Sequence, residues 1–140
     1  MSRFTPAEIA YLQAHRLGRL ATVSETGDPH VVPVAYRYDA GEEAIDIGGH
    51  GLVTSRKYRE ALRHGRVAFV VDDRSPAGGP RLIEIRGTAR SLAAGGAAIN
   101  PGNPPDILRI TPTYIVSLGV NDDEAHPREG RLRYHGRAVE

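Results

Sequence analysis

Two adjacent glycines, Gly48 and Gly49, stand shortly before Thr54, Ser55, Arg56 and Lys57. Residues 44–47 (A-I-D-I) read as a strand running into the glycines. Thr54 and Ser55 are placed to cap a helix that carries Arg56, Lys57 and Arg59 in its first turn. Exposed N–H groups at a helix start, joined to fixed cations, make an anion site. Glycines at a strand end let a flat ligand approach the backbone with no Cβ in the way. The spacing points to a seat for the phosphate of a flavin-like cofactor. The plainer alternative is a solvated basic face. Cations in a first helical turn oppose the helix dipole, at a cost of about a few tenths of a kcal/mol each, unless an anion sits before them.

Few other residues offer chemistry of their own. The chain holds no G-x-S-x-G, no H-E-x-x-H and no complete phosphate loop. A bound cofactor would then carry the hard step while the protein binds and orients it. His50 follows the glycines and is the candidate proton donor or acceptor, since an unperturbed imidazole titrates near neutral pH. Packing at the strand end is the alternative for it. The six histidines show no clustered ligand spacing, so no metal site is expected. Tyr36, Tyr38 and Tyr58 read as core or interface residues, and Asp72-Asp73 as a strand-end turn.

Composition narrows the setting. A chain of 140 residues is sized for one domain. The formal net charge is +1, which calls for neither nucleic acid nor an anionic membrane as partner. Cysteine is absent, so disulfides and thiol chemistry are excluded and a cytoplasmic location is expected. No apolar run is long enough for a signal peptide or a membrane span. Lys57 is the only lysine; the other basic residues are arginines, which suit bidentate binding of phosphate and carboxylate.

The elements that must hold the site follow from local signals. Thr5-Pro6-Ala7-Glu8 is a capping box with proline at the first helical position, and Phe4 and Ile9 have the spacing of a hydrophobic staple. That helix should end near Gly18. Residues 20–23, 31–38 and 44–47 read as a meander of three antiparallel strands. Pro33 places the second at an edge or a bulge. The basic helix runs from Ser55 to about His64, with Gly65 closing it. Residues 66–72 form an apolar run expected to be a central strand buried on both faces. Residues 82–92 alternate as a long strand, and 93–105 read as a loop with one helical turn. Residues 107–111 and 114–120 are the last strands, separated by Pro112. Residues 1–120 form the domain; 121–140 read as a polar tail, ordered only against a partner subunit. Six or seven strands with two helices make a mainly β, α+β chain, folded as a small antiparallel barrel.

Several stretches together resemble a known family. They are G-R-L-A-T-V (18–23), G-D-P-H-V-V-P-V (27–34), I-D-I-G-G-H (45–50), S-R-K-Y-R (55–59), R-V-A-F-V-V-D-D (66–73) and E-I-R-G-T-A (84–89), with a weaker match over 107–119. The order and spacing are similar to those of the pyridoxamine-phosphate-oxidase-like proteins, whose fold is the FMN-binding split β-barrel. Within them the chain resembles the small actinobacterial branch that uses the deazaflavin coenzyme F420 and includes a reductase of tetracycline biosynthesis. The resemblance implies a homodimer with cofactor sites at the subunit interface. It implies that Val32, Pro33 and Val34, with Ile47, Gly48 and Gly49, line the ring system. It places Thr54, Ser55, Arg56 and Lys57 at the phosphate, and Arg81 where the partner subunit closes the site. It further implies hydride transfer from reduced F420 to a small unsaturated acceptor, an enone or quinone. The acidic tail of that coenzyme would suit a groove edged by Arg56 and Arg59, with Arg37 and Arg81. FMN in the same fold, or a binding protein without catalysis, are the alternatives. One departure concerns the acceptor: relatives carry tryptophans where this chain has residues 76–80 and Leu118, and it has no tryptophan at all.

Overall fold

The protein was analysed as a computed structural model, which describes residues 2–121 and 133–140. Helix α1 (Pro6–Ala14) starts as its sequence dictates. The Glu8 N–H donates to Thr5 Oγ1 at 3.1 Å, and the Thr5 N–H donates to Glu8 Oε1 at 2.9 Å. Three strands follow, β1 (Leu17–Val23), β2 (Pro29–Asp39) and β3 (Ala44–Ile47). Helix α2 (Arg56–His64) ends at Gly65, whose φ of 75° is the left-handed conformation that glycine adopts without a Cβ penalty. Beyond it lie β4 (Arg66–Arg74), β5 (Pro80–Leu92), the single-turn α3 (Gly96–Ile99), β6 (Ile107–Leu118) and β7 (His135–Ala138).

The strands are ordered β3-β2-β1-β4-β5-β6-β7, and β3 also pairs with β6. That extra pairing closes six antiparallel strands into a barrel and leaves β7 attached outside the ring. Leu20, Ile45, Phe69, Ile85, Ile110 and Ile115 fill the interior. Each such side chain contributes about 1.5–3 kcal/mol by leaving water. Closure is uneven. Strand β2 pairs with β3 only over Tyr36 to Asp39, so residues 29–35 are bonded to β1 alone. Pro33 lies in this half and faces Arg19 across the β1 ladder, so the edge expected from its missing N–H is present.

Three expectations need correction. The apolar run in β4 is not buried on both faces. Val67, Phe69 and Val71 point inward, while Arg66 and Asp72 are exposed, because a barrel offers one interior. Pro112 does not break the last strand. Gly87 pairs with Pro112 and Arg86 with Tyr114, so Thr113 is the extra residue of a bulge and its hydroxyl donates to Arg86 O at 3.2 Å. The helical turn expected within residues 93–105, by contrast, is present as α3. Finally, the end of the chain is not a tail that needs a partner subunit. Strand β7 pairs with Tyr114 to Ser117 of β6, and the Arg137 guanidinium bonds the buried carboxylate of Glu8, with Nη1–Oε2 at 3.0 Å. Residues 122–132 of the expected tail lie outside the described residues. Among the described residues, no helix is long and apolar enough to cross a membrane.

Candidate functional site

The corner between β3 and α2 is built by backbone before side chains. Ile47 ends β3 with its side chain in the core. Gly48 is buried against α3: a Cβ there would lie 2.8 Å from Ile99 Cδ1. Gly49 has a φ of 137°, and nothing lies within 4 Å of where its Cβ would be, so the backbone there is open to a ligand. A 3₁₀ turn (Leu52–Thr54) then carries the chain to Ser55. Ser55 is the cap of α2: its Oγ accepts from the Tyr58 N–H at 3.3 Å and donates to Leu52 O at 2.6 Å. Thr54 belongs to the preceding turn, donating to Gly51 O at 3.2 Å.

No acidic residue stands in the first turn of α2. Arg56 is exposed and Lys57 half-buried, and neither has a hydrogen-bonded or ion-paired partner among the described residues. Cations with no ion-pair partner at this helix start leave it ready for an anion. Alongside, a groove of about 500 Å³ runs between α2 and the β1–β2 turn, lined by Arg56, Arg59, Arg63, Ser24 and Thr26 with Glu25 and Glu60. Arg59 and Arg63 are steadied by carbonyls, Arg59 on Thr54 O at 3.1 Å and Arg63 on Ser24 O at 2.7 Å.

The remaining site candidates fall in different places. Val32 is half-buried opposite Leu20, Pro33 is exposed, and Val34 is buried opposite Gly18, all on the half of β2 bonded to β1 alone. Tyr36 pairs with Ile47, so this half-strand runs directly into the β3 end. His50 is exposed in the turn and has no partner among the described residues. Arg81 is committed within its own chain. It forms a bidentate pair with Asp73, at 2.9 and 2.6 Å, and its guanidinium lies 5.3 Å from the centre of the Tyr11 ring. Arg37 lines a separate groove with α1 and α3.

Two polar clusters were not foreseen. In the first, buried Glu60 of α2 accepts from Thr22 Oγ1 at 2.7 Å and bonds His30 Nδ1 at 2.8 Å. The Thr22 hydroxyl, followed by His30, holds the Glu60 carboxyl below its usual range. The cluster fastens α2 to β1 and β2. Its one sequence signal is a lone acid in the run R-K-Y-R-E-A-L-R-H. In the second, Asp73 accepts from Arg81 and from the Tyr11 hydroxyl at 3.0 Å, and its other oxygen bonds His15 Nε2 at 3.0 Å. The Arg81 guanidinium leads in lowering the Asp73 carboxyl to about 2, with His15 and Tyr11 adding to it. Burial, then Asp73, pushes the Tyr11 hydroxyl up. Asp72 and Asp73 therefore sit in β4 as ion-pair partners, Asp72 with Arg19, rather than in a turn.

Comparison with known proteins adds to this geometry. The family model described as pyridoxamine 5′-phosphate oxidase matches residues 4–139. A 5a,11a-dehydrotetracycline/5a,11a-dehydrooxytetracycline reductase from Streptomyces rimosus subsp. rimosus is 43% identical over 123 residues, covering 86% of each chain. Among solved structures, a conserved hypothetical protein from Mycobacterium tuberculosis superposes with a TM-score of 0.66 at 20% identity, covering 94% of this chain and 96% of that one. An FAD binding protein from Mycobacterium smegmatis gives 0.60 at 19% identity, covering 84% and 96%. At such identities the two structures speak for the split-barrel fold alone.

Proposed function

Because the chain belongs to the pyridoxamine 5′-phosphate oxidase family and is an oxidoreductase of it, we propose that it is a reductase that moves a hydride from reduced coenzyme F420 to a small conjugated acceptor. The observation that carries the reading is the unpaired pair Arg56 and Lys57 at a helix start, beside the open backbone of Gly49. The residues fit the group. Ser55, Arg56 and Lys57 hold its phosphodiester, and the Arg56–Arg59–Arg63 groove accommodates an acidic extension beyond the phosphate. FMN ends at its phosphate and would leave that groove unused. Val32, Pro33 and the open backbone of Gly49 face the ring system, while Val34, Ile47 and Gly48 back them from the core. When bound, the coenzyme supplies the hydride; the chain supplies position, charge and shelter from water. His50 is exposed in the turn, with no group among the described residues that orients it.

The reading includes a second copy of the chain. The outer face of β1 and β2 carries Leu17 and Val31, which are 65% and 66% exposed, and Val23 lies nearby in β1. Such apolar surface beside a strand edge is what an isologous dimer covers. A copy seated there would bury the cofactor edge of β2.

The test is a titration of the purified protein with F420 and with FMN. F420 should bind the more tightly. Arg56→Ala with Lys57→Ala should weaken it 10-fold or more, about 1.5–3 kcal/mol for lost charge-assisted bonds. Tighter binding of FMN would overturn the cofactor assignment, and affinity unchanged within twofold in the double variant would move the phosphate elsewhere.

A further inference from the structure

We propose that the groove between α1 and α3 is the acceptor site, and that it takes a flat conjugated molecule carrying an acidic oxygen. This rests on the reductase reading above. The groove measures about 370 Å³, within the range of small-molecule sites. Gln13 and Arg16 stand on one side, Ile99 on the other, and Tyr36, Arg37 and Tyr38 of β2 lie between them.

Position is the first argument. Tyr36 continues the same strand as Val34, about 7 Å further along at about 3.3 Å per residue. It pairs with Ile47, and Ile99 packs directly on Gly48. The groove therefore opens beside the backbone assigned to the ring system. A hydride passes only between atoms held in contact, so the acceptor must lie next to that ring.

Charge is the second. The Tyr36 hydroxyl donates to Leu12 O at 2.6 Å and its ring, 4% exposed, packs edge-on to Phe69, so Tyr36 closes the floor of the groove and leaves recognition to the charged rim. The Arg16 carbonyl accepts from the Tyr36 N–H at 3.0 Å, but its guanidinium has no partner among the described residues, and the Arg37 guanidinium has only a 3.4 Å contact with Asp39. Other arginines near these strands are tied down: Arg81 to Asp73, and Arg109 to Asp46 at 2.8 Å and Asp39 at 3.1 Å. Two available guanidinium groups at the rim select an anionic ligand, and a guanidinium plane stacks on a flat conjugated one. His15 bonds Tyr11 O at 2.8 Å through Nδ1 and Asp73 through Nε2, so it walls the groove and donates nothing to the acceptor.

The chemistry agrees with the placement. Hydride addition to a C=C conjugated with a carbonyl forms a C–H bond and moves the π electrons onto the carbonyl oxygen. The acceptor gains two electrons and the donor loses them. A guanidinium beside that oxygen stabilises the developing enolate, and water then protonates carbon.

The experiment uses two quinones of similar size, measured by titration calorimetry on the intact protein. One is 2-hydroxy-1,4-naphthoquinone, an anion at neutral pH; the other is neutral 2-methyl-1,4-naphthoquinone. The anion should bind at least 10-fold more tightly. Arg16→Ala with Arg37→Ala should abolish that preference, and Ala98→Trp should block both ligands by filling the groove. The affinity for F420 should stay within twofold of wild type in Arg16→Ala alone, because the phosphate end is untouched. Equal binding of the two quinones, or a double variant indistinguishable from wild type, overturns the proposal. Failure of F420 to bind the unaltered protein would instead overturn the reductase reading, and the quinone preference is measured without cofactor.

Discussion

Ser55 sets the first turn of α2, and with it where the two unpaired cations stand. This much was legible in the sequence, because a cap acts on its immediate neighbours. His30 and Glu60 were not legible: they are thirty residues apart and meet only because α2 lies over β1 and β2. His50 drew attention through its place after the glycines, yet carboxylates hold His15 and His30 instead. Asp73 shows what such clusters do for stability. Its folded carboxyl is lowered to about 2 from an ordinary 3.8. A depressed carboxylate contributes fully above its unfolded value, and the contribution is lost as pH falls through the folded one. Wild-type stability should therefore drop between about pH 5 and pH 2. Asp73→Asn should be less stable than wild type at pH 6 and should show a shallower loss over that window, read by urea unfolding at each pH. A loss as steep as wild type's would assign the acid sensitivity to other carboxylates.

Strand β7 marks the limit of reading elements from periodicity. The meander, the capped α1 and the basic α2 each announce themselves through apolar spacing or local caps. Residues H-G-R-A of β7 have almost no apolar content. Backbone pairing with β6 and the reach of Arg137 to Glu8 and to Arg3 O, at 2.8 Å, hold the strand in place. Such contacts are non-local and leave no pattern along the chain. The single strand through Pro112 was hidden likewise, since its bulge depends on what β5 places opposite. Glu8 is fully buried. Burial pulls its carboxyl upward, and Arg137 with the Thr5 N–H pulls it down further, leaving it below its ordinary range. Arg137→Ala should leave an uncompensated charge in the core and cost about 3 kcal/mol, measured by urea unfolding near neutral pH. Arg137→Lys should recover part of that loss. A change under about 0.5 kcal/mol, typical of an ordinary surface site, would show that Glu8 is satisfied without the strand.

At the scale of the whole molecule, the barrel is closed except where β2 turns its free edge and the Leu17–Val31 face outward. Val31→Lys should convert a dimer to a monomer in sedimentation and lower cofactor affinity together with it. A monomeric wild type, or a charged variant that still dimerises, would remove the second copy from the site. The resemblance in the motifs made the barrel legible; which face meets a neighbour depends on exposure, which no single segment records. The same packing that secures β7 also brings Arg3 and Glu140 together, Arg3 Nε donating to Glu140 O at 3.0 Å. A brief linker between those two residues could therefore close residues 3–140 into a ring, and a cut opened at the exposed Gly27 turn would yield a circular permutant with every rung of the barrel retained. By the same token, a bulky group placed beside either residue would press on both at once.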